Sequence, residues 1–291
     1  MKYVFRALLG ILFLFSATAK LISIDSFEIY IFSFKALSLG FSFLSARLII
    51  AAEYFLGILL LANFWPKAAF WCSAAMLAGF SIFLAVLVST GSSENCNCFG
   101  DLVEMDPKQS LVKNIALLAV LLLSAGCRPF SIRWKPLWGA LAAAGSLALV
   151  FIVSPPDNWD YRKYSEHTEG SLNESALRER IESGIIPPSV TEGEKLVCFY
   201  SLRCEFCKMS AKKIATLRSR GEWPEMTAVI LFGRGEDTDT TEFLRETGFR
   251  PDEIHFIEPE DFLTITNGSM PLILIMDNGE ITEKYSYRDI H

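Results

Sequence analysis

Hydrophobic positions run unbroken through the first half of the chain and become periodic in the second. Residues 1–24 open with Lys2 and Arg6, then carry no charge from Ala7 to Ala19. Four further apolar runs follow at 47–65, 68–93, 109–126 and 136–154, of which the run at 68–93 has 26 residues without a charge and the last has 19. A helix crosses a bilayer with about 20 mainly apolar residues, so these runs predict five spans. For the first run a signal peptide is the rival reading, with Ala17-Thr18-Ala19 as its cleavage site. The spans that follow favour a first span with Lys20 snorkelling outward. Residues 25–46 are too polar for a clean span, yet they hold Phe27, Tyr30, Phe32, Phe34, Phe41 and Phe43. They predict a helix or loop in the interface, its aromatics acting as anchors or covering a lipid-side pocket.

After Pro155-Pro156 the pattern changes to short apolar strands alternating with amphipathic segments. A short helix is predicted over 172–183, capped by Asn173 and stopped by Pro187-Pro188. Strands are predicted at 196–200, 227–232, 254–257, 272–276 and 281–285, with helices at 209–220 and 240–247. Asp277-Asn278-Gly279-Glu280 predicts a hairpin turn. The fold class expected is an all-α membrane bundle, four helices plus a fifth, followed by an α/β domain. The expected boundaries are 1–127 for the bundle, 128–156 for a cytoplasmic loop and fifth helix, 157–194 for a linker, and 195–291 for the α/β domain.

Charge sharpens this division. Residues 1–156 carry 11 Lys/Arg against 7 Asp/Glu, and residues 157–291 carry 16 against 26, giving +4 and −10. With no basic stripe, nothing points to nucleic acid. Lys2, Arg6, Lys67, Arg128, Arg133 and Lys135 flank alternate ends of the five spans, so the positive-inside rule places those ends in the cytoplasm. The loop holding Cys96 and Cys98, and everything after Asp157, then lie outside a bacterial inner membrane, on its oxidising side.

The chemistry lies in the cysteines. Cys204-Glu205-Phe206-Cys207 sits where the 196–200 strand ends and a helix begins. Free amides and the helix dipole favour a thiolate there, which makes Cys204 the expected nucleophile and Cys207 the resolving thiol. Glu205 between them opposes a thiolate. Half of a zinc site has the same spacing, but no second Cys or His pair follows at metal spacing, and His167, His255 and His291 are scattered. Cys96 and Cys98, one residue apart, could close a strained, exchange-prone disulfide, or serve as a metal pair or a bond to elsewhere. Cys72 and Cys127 read as reduced thiols or, if paired, as a path across the membrane. Cys198 reads as core. Glu53 lies in mid-span, where an ionisable group is expensive, and Lys20 is its expected partner because Arg47 is about 240° around the helix. Proton handling and simple packing are both open for it.

Strand–CxxC–helix, with Ser269-Met270-Pro271 entering the 272–276 strand, resembles the thioredoxin-like superfamily over about residues 195–285. The resemblance implies that Pro271 is a cis-proline beside the CxxC and that it shapes a substrate groove with Met270. Here Met270 is bulkier than the usual residue, and the usual last helix is short or missing. Over residues 1–127, Cys-x-Cys-Phe-Gly at 96–100, Gly10…Phe15-Ser16…Lys20-Leu21 and Glu53…Gly57 are similar to the MauE/DoxX-like membrane family, whose MauE branch is tied to methylamine utilisation. Its fold is similar to the bundle of vitamin K epoxide reductase, which moves electrons between cysteines and a quinone. The second CxxC pair of those enzymes is absent here. The resemblances imply a membrane thiol–disulfide oxidoreductase acting on exported cysteine-containing clients. In it Cys204/Cys207 exchanges with Cys96/Cys98, and Glu53 and Lys20 form a proton or quinone site. The alternative is a MauE-like maturation factor that binds a client without turnover. A transporter would need inverted repeats or broken helices, and neither is present in the sequence.

Overall fold

The structure is a computed structural model. It describes residues 1–89, 98–101, 105–130, 134–156, 172–235 and 238–290, with the backbone alone at Cys98 and Asp101. The chain divides into a mainly helical unit, Met1–Ile31 with Gly40–Pro156, and a second compact unit, Phe32–Leu39 with Asp157–His291.

The first unit contains α1 (Lys2–Ile22), α2 (Ile24–Ser33), α3 (Leu39–Ala62), α4 (Pro66–Ser89), a short strand β1 (Cys98–Asp101), α5 (Pro107–Leu123) and α6 (Lys135–Val153). α1, α3, α4 and α6 are long and apolar enough to cross a membrane. α5 is the predicted fourth span, but it has 17 residues, about 25 Å of helix against a hydrocarbon core of about 30 Å. It starts sharply, with Pro107 at its first position and an Asp106 carboxylate accepting from the Gln109 amide at 2.7 Å, a capping arrangement.

The bundle core is Leu9, Phe13, Leu56, Leu59, Leu60, Ala69, Leu77 and Leu121. Its outward face is also apolar, with Ile11, Trp71, Ile82, Leu122 and Ile152 exposed, as lipid contact requires. Residues 25–46 differ from the expectation. α2 is a helix, but Phe27, Tyr30 and Phe43 are buried in protein. α3 begins at Leu39, eight residues before the predicted span, because the charge of Arg47 is matched by Glu28 on α2 and so does not end the helix.

The second unit is a thioredoxin-like α/β domain. Its mixed sheet comprises β2 (Glu194–Tyr200), β3 (Thr227–Gly233), β4 (Glu253–Ile257), β5 (Leu272–Asp277) and β6 (Glu280–Tyr285), in the order β4-β3-β2-β5-β6. β2 runs parallel to β3 and antiparallel to β5. On one face, α7 (Glu174–Glu182) and α10 (Pro259–Thr266) cover Val197, Phe199, Val229 and Leu231. The alternate residues of β2, Cys198 and Tyr200, face the side of α8 (Glu205–Ser219) and α9 (Thr241–Thr247). Asn173 caps α7 as expected, accepting from the Ala176 amide at 3.2 Å. The sequence reading missed α10, although Pro259 at its first position and Glu260 and Asp261 in its first turn are start signals. After β6 the described residues make a turn at 287–289.

α1 and α3 cross at two glycines. A Cβ on Gly57 would meet Leu14 at 2.8 Å, and one on Gly10 would meet the Gly57 carbonyl at 3.0 Å. Small residues let helix backbones approach closely in a membrane. Gly57→Val should therefore lower the thermal midpoint of the full chain in detergent, by the roughly 1–3 kcal/mol typical of overpacking. An unchanged midpoint would mean that the crossing tolerates separation.

Candidate functional site

The close α1–α3 crossing sets the bundle's polar centre. Lys20 on α1 reaches Glu53 on α3, with Nζ 2.7 Å from Oε1 and 2.9 Å from Oε2. Lys20 also donates to Ser16 Oγ at 2.6 Å, and Ser16 donates to Glu53 Oε2 at 3.1 Å. Both charged side chains are buried. Lys20 is thus the partner of Glu53, as expected. A second buried ion pair, Glu28–Arg47, was missed. Arg47 also donates to Phe43 O at 2.9 Å, Ser154 O at 2.8 Å and Pro155 O at 2.9 Å, tying the carbonyl end of α6 to α3. The sequence signal was present: Arg47 had no same-face partner on α3, and a buried charge needs one.

The end of the Cys-x-Cys-Phe-Gly motif docks on the same stretch of α1. Gly100 is buried at φ +57, and a Cβ there would lie 1.9 Å from Ser23 Oγ and 2.7 Å from Ala19 O. Only glycine meets both demands, the left-handed backbone and the close approach. Phe99 packs 5.6 Å from Phe15, and the Lys113 ammonium sits 4.2 Å over its ring, a contact the sequence reading did not anticipate. Cys96 lies outside the described residues. Cys72 and Cys127 are free thiols, and Cys127 donates to Ser124 O at 3.3 Å.

In the second unit the strand–helix junction forms as predicted. Cys204 is the N-cap of α8, its sulfur accepting from the Cys207 amide at 3.2 Å. Its thiol is held down to about 7, first by its hydrogen bond with the Cys207 side chain and then by the amides of Cys207 and Phe206; burial and the Glu205 carboxylate oppose this. Glu205 therefore acts in the expected direction and is outweighed. Lys208 lies 3.3 Å from Glu205 and 3.1 Å from Glu246, which moderates its charge. Cys207 is fully buried, and burial pushes its thiol far above the ordinary range, with Cys204 adding to the rise. Cys198 is buried core, its thiol raised to about 12 by burial.

The Met270–Pro271 bond is cis. Leu272 lies opposite Phe199, so that bond lies beside the end of β2 from which the Cys204 turn departs. Pro271 is buried, while Met270 and Phe206 are partly exposed apolar side chains. The arrangement holds one poised, accessible sulfur and one protected sulfur, which can together open or close a disulfide.

Residues 1–127 match the family model described as methylamine utilisation protein MauE. The chain is also similar to Protein TlpB of Flavobacterium psychrophilum, 29% identical over 298 residues that cover 85% of this chain and 80% of the relative. No solved structure matches the chain.

Two outcomes are expected. In a variant that keeps Cys204 and Cys207 alone, iodoacetamide should alkylate Cys204 with a rate that rises through about pH 7, while Cys207 stays unreactive. A midpoint near the ordinary thiol value of about 8.5 would remove the case for an activated nucleophile. Lys20→Met alone should destabilise the full chain by about 3–5 kcal/mol, because it strands a buried carboxylate, and adding Glu53→Gln should recover much of that. Additive losses in thermal unfolding would show that the pair is not coupled.

Proposed function

We propose that this membrane protein, whose residues 1–127 match the MauE family model and are followed by a thioredoxin-like domain, is a thiol–disulfide oxidoreductase whose Cys204/Cys207 pair exchanges with Cys96/Cys98. The observation that carries the reading is the asymmetry of the CxxC. Cys204 is part-exposed with its thiol near neutrality, and Cys207 is buried and protonated behind it.

In the reducing direction, the Cys204 thiolate attacks a client disulfide. A Cys204–client bond forms, the client S–S bond breaks, and one client thiolate leaves. Cys207 then attacks Cys204 Sγ, closing Cys204–Cys207 and releasing the second client thiol. Two electrons have passed to the client. The Cys96/Cys98 dithiol returns the pair to its reduced state by the same exchange and is left as a disulfide, which a two-electron donor in the membrane has to reduce before the next turnover; run backwards, with an acceptor in place of the donor, the cycle oxidises clients. The clients are exported proteins with cysteines, and the basic residues flanking the spans support an orientation with both pairs outside the cytoplasmic membrane.

A quinone is the two-electron carrier implied for this kind of bundle. The three hydrogens of the Lys20 ammonium meet Glu53 Oε1, Glu53 Oε2 and Ser16 Oγ, so Lys20 has no hydrogen left for a quinone carbonyl. No step is routed through a quinone.

The MauE match favours one second reading, a maturation factor whose CxxC holds a particular exported client. Cys207→Ala separates the two. With the oxidoreductase, a mixed disulfide of Cys204 with Cys96 or Cys98 accumulates and is found by non-reducing peptide mapping of membranes. If only stoichiometric client adducts form, with no such link and no turnover of a dithiol substrate by the wild type, the exchange cycle is wrong and the holding role stands.

A further inference from the structure

The turn that follows β6 packs on the helix of the reactive pair, and the exchange cycle gives that turn no task. Phe206 and Lys213 stand two helical turns apart and so share a face of α8. The Tyr287 ring meets both. Its centroid is 5.5 Å from that of Phe206 and 5.1 Å from the Lys213 ammonium, which also donates to Tyr287 O at 3.3 Å. Lys213 and Tyr287 are buried, at 1% and 3% exposure. A buried ammonium needs compensating contacts, so Tyr287 is held through its ring and its carbonyl together. The turn is also closed on itself: the Ser286 amide and hydroxyl donate to Asp289 Oδ2 at 2.8 Å and 2.6 Å. Phe206 is the opposite case. It is 44% exposed, one of four large apolar side chains exposed on the described part of the α/β unit, with Ile185, Leu263 and Met270. Its amide acts on the Cys204 sulfur. An anchored, buried ring thus backs an exposed ring in the reactive motif itself.

We infer that Tyr287 is a positioning residue for the client site: it holds the Phe206 ring as a fixed apolar seat in the first turn after Cys204, and the favoured clients carry an aromatic or large aliphatic side chain next to the reacting cysteine. The inference rests on reading Cys204/Cys207 as an exchanging pair, and it adds no covalent step to that cycle. An exposed phenyl ring with free rotamers loses that freedom when a client packs on it. A ring already held from behind has less to lose, so the same contact gives more net affinity. Binding there also sets the chemistry, because a client side chain seated on Phe206 brings the neighbouring disulfide up to the Cys204 sulfur in a restricted orientation. Tyr287 acts through Phe206, and Lys213 acts through Tyr287. The turn after β6 is in this way a part of the client site, although it carries none of the reacting sulfurs.

The test uses the full-length chain in detergent, reduced beforehand, with Cys72, Cys96, Cys98 and Cys127 replaced by serine. Two short peptide disulfides serve as probes, alike except for the residue beside the cysteine, Phe in one and Gly in the other. Single-turnover reduction at rising peptide concentration gives a limiting rate and a half-saturating concentration for each. The readout is the preference, the ratio between the two peptides of rate over half-saturation, because misfolding or a less reactive Cys204 lowers both values and leaves their ratio. The background chain should prefer the Phe peptide by about three- to ten-fold, the size of one aromatic contact. Tyr287→Ala should bring the preference close to one by raising the half-saturating concentration of the Phe peptide. Tyr287→Phe, which keeps the ring against Phe206, should keep it. Phe206→Ala, which removes an exposed side chain, should match Tyr287→Ala, and the double variant should lose nothing more. The inference is overturned by an unaltered preference in Tyr287→Ala or Phe206→Ala, by its loss in Tyr287→Phe, or by a background chain that treats the peptides alike. If that chain is alkylated at Cys204 by iodoacetamide yet reduces neither peptide, the exchanging-pair reading fails and this inference fails with it.

Discussion

A charge or a strong dipole taken out of water has to find a partner, and both halves of this chain are arranged by that constraint. In the helical unit, α3 carries Arg47 and Glu53 on different faces. Each is buried and each is paired with another helix, Arg47 with Glu28 on α2 and Glu53 with Lys20 on α1. A broken pair of this kind is costly, whereas an intact one adds little net stability over a packed apolar pair. Such pairs therefore fix which helix faces meet, and the Gly10–Gly57 crossing supplies the close approach that lets Lys20 reach across. In the α/β unit the unpaired groups are the first amides of α8. The Cys204 sulfur caps one of them, and in doing so it becomes the more acidic thiol of the two.

The parts legible in the sequence were those encoded locally. A strand-like apolar run followed by a Gly- and Pro-free helix leaves little freedom for the residues between them, so Cys204 was readable as a cap and Cys207 as one turn inside. The apolar helices were readable because bilayer thickness imposes a length. The cis peptide at Pro271 followed from the family likeness and not from any local rule. What escaped the reading depends on partners remote in sequence. Arg47 looked like the edge of a span because Glu28 lies 19 residues away on another helix. The Phe99–Lys113 contact joins a loop to a helix that begins after it. α10 is different: its Pro259 start and acidic first turn were visible and were passed over.

Gly100 shows how a membrane-loop motif can be tied to a helix without a charge. With φ +57 and a neighbouring carbonyl closer than any Cβ would allow, it sets the path of β1 against α1. The Phe99 ring, between Phe15 and the Lys113 ammonium, then buries an aromatic face that is attractive to a cation. In Cys-x-Cys-Phe-Gly the last two residues therefore have a mechanical task, fixing where the strand that begins at Cys98 lies on the bundle.

Oxidoreductase and client-holding factor share a first step, the formation of a Cys204–client bond, and part at the second. The outcome depends on whether Cys207 can become an anion inside a site that burial makes hostile to one. Without help, the high proton affinity of Cys207 would leave the mixed disulfide long-lived, and the protein would hold its client. A second cysteine one turn inside the helix, facing Cys204, gives a mixed disulfide an intramolecular route of release that a purely holding protein would not need. An exposed, acidic Cys204 by itself serves either role equally well.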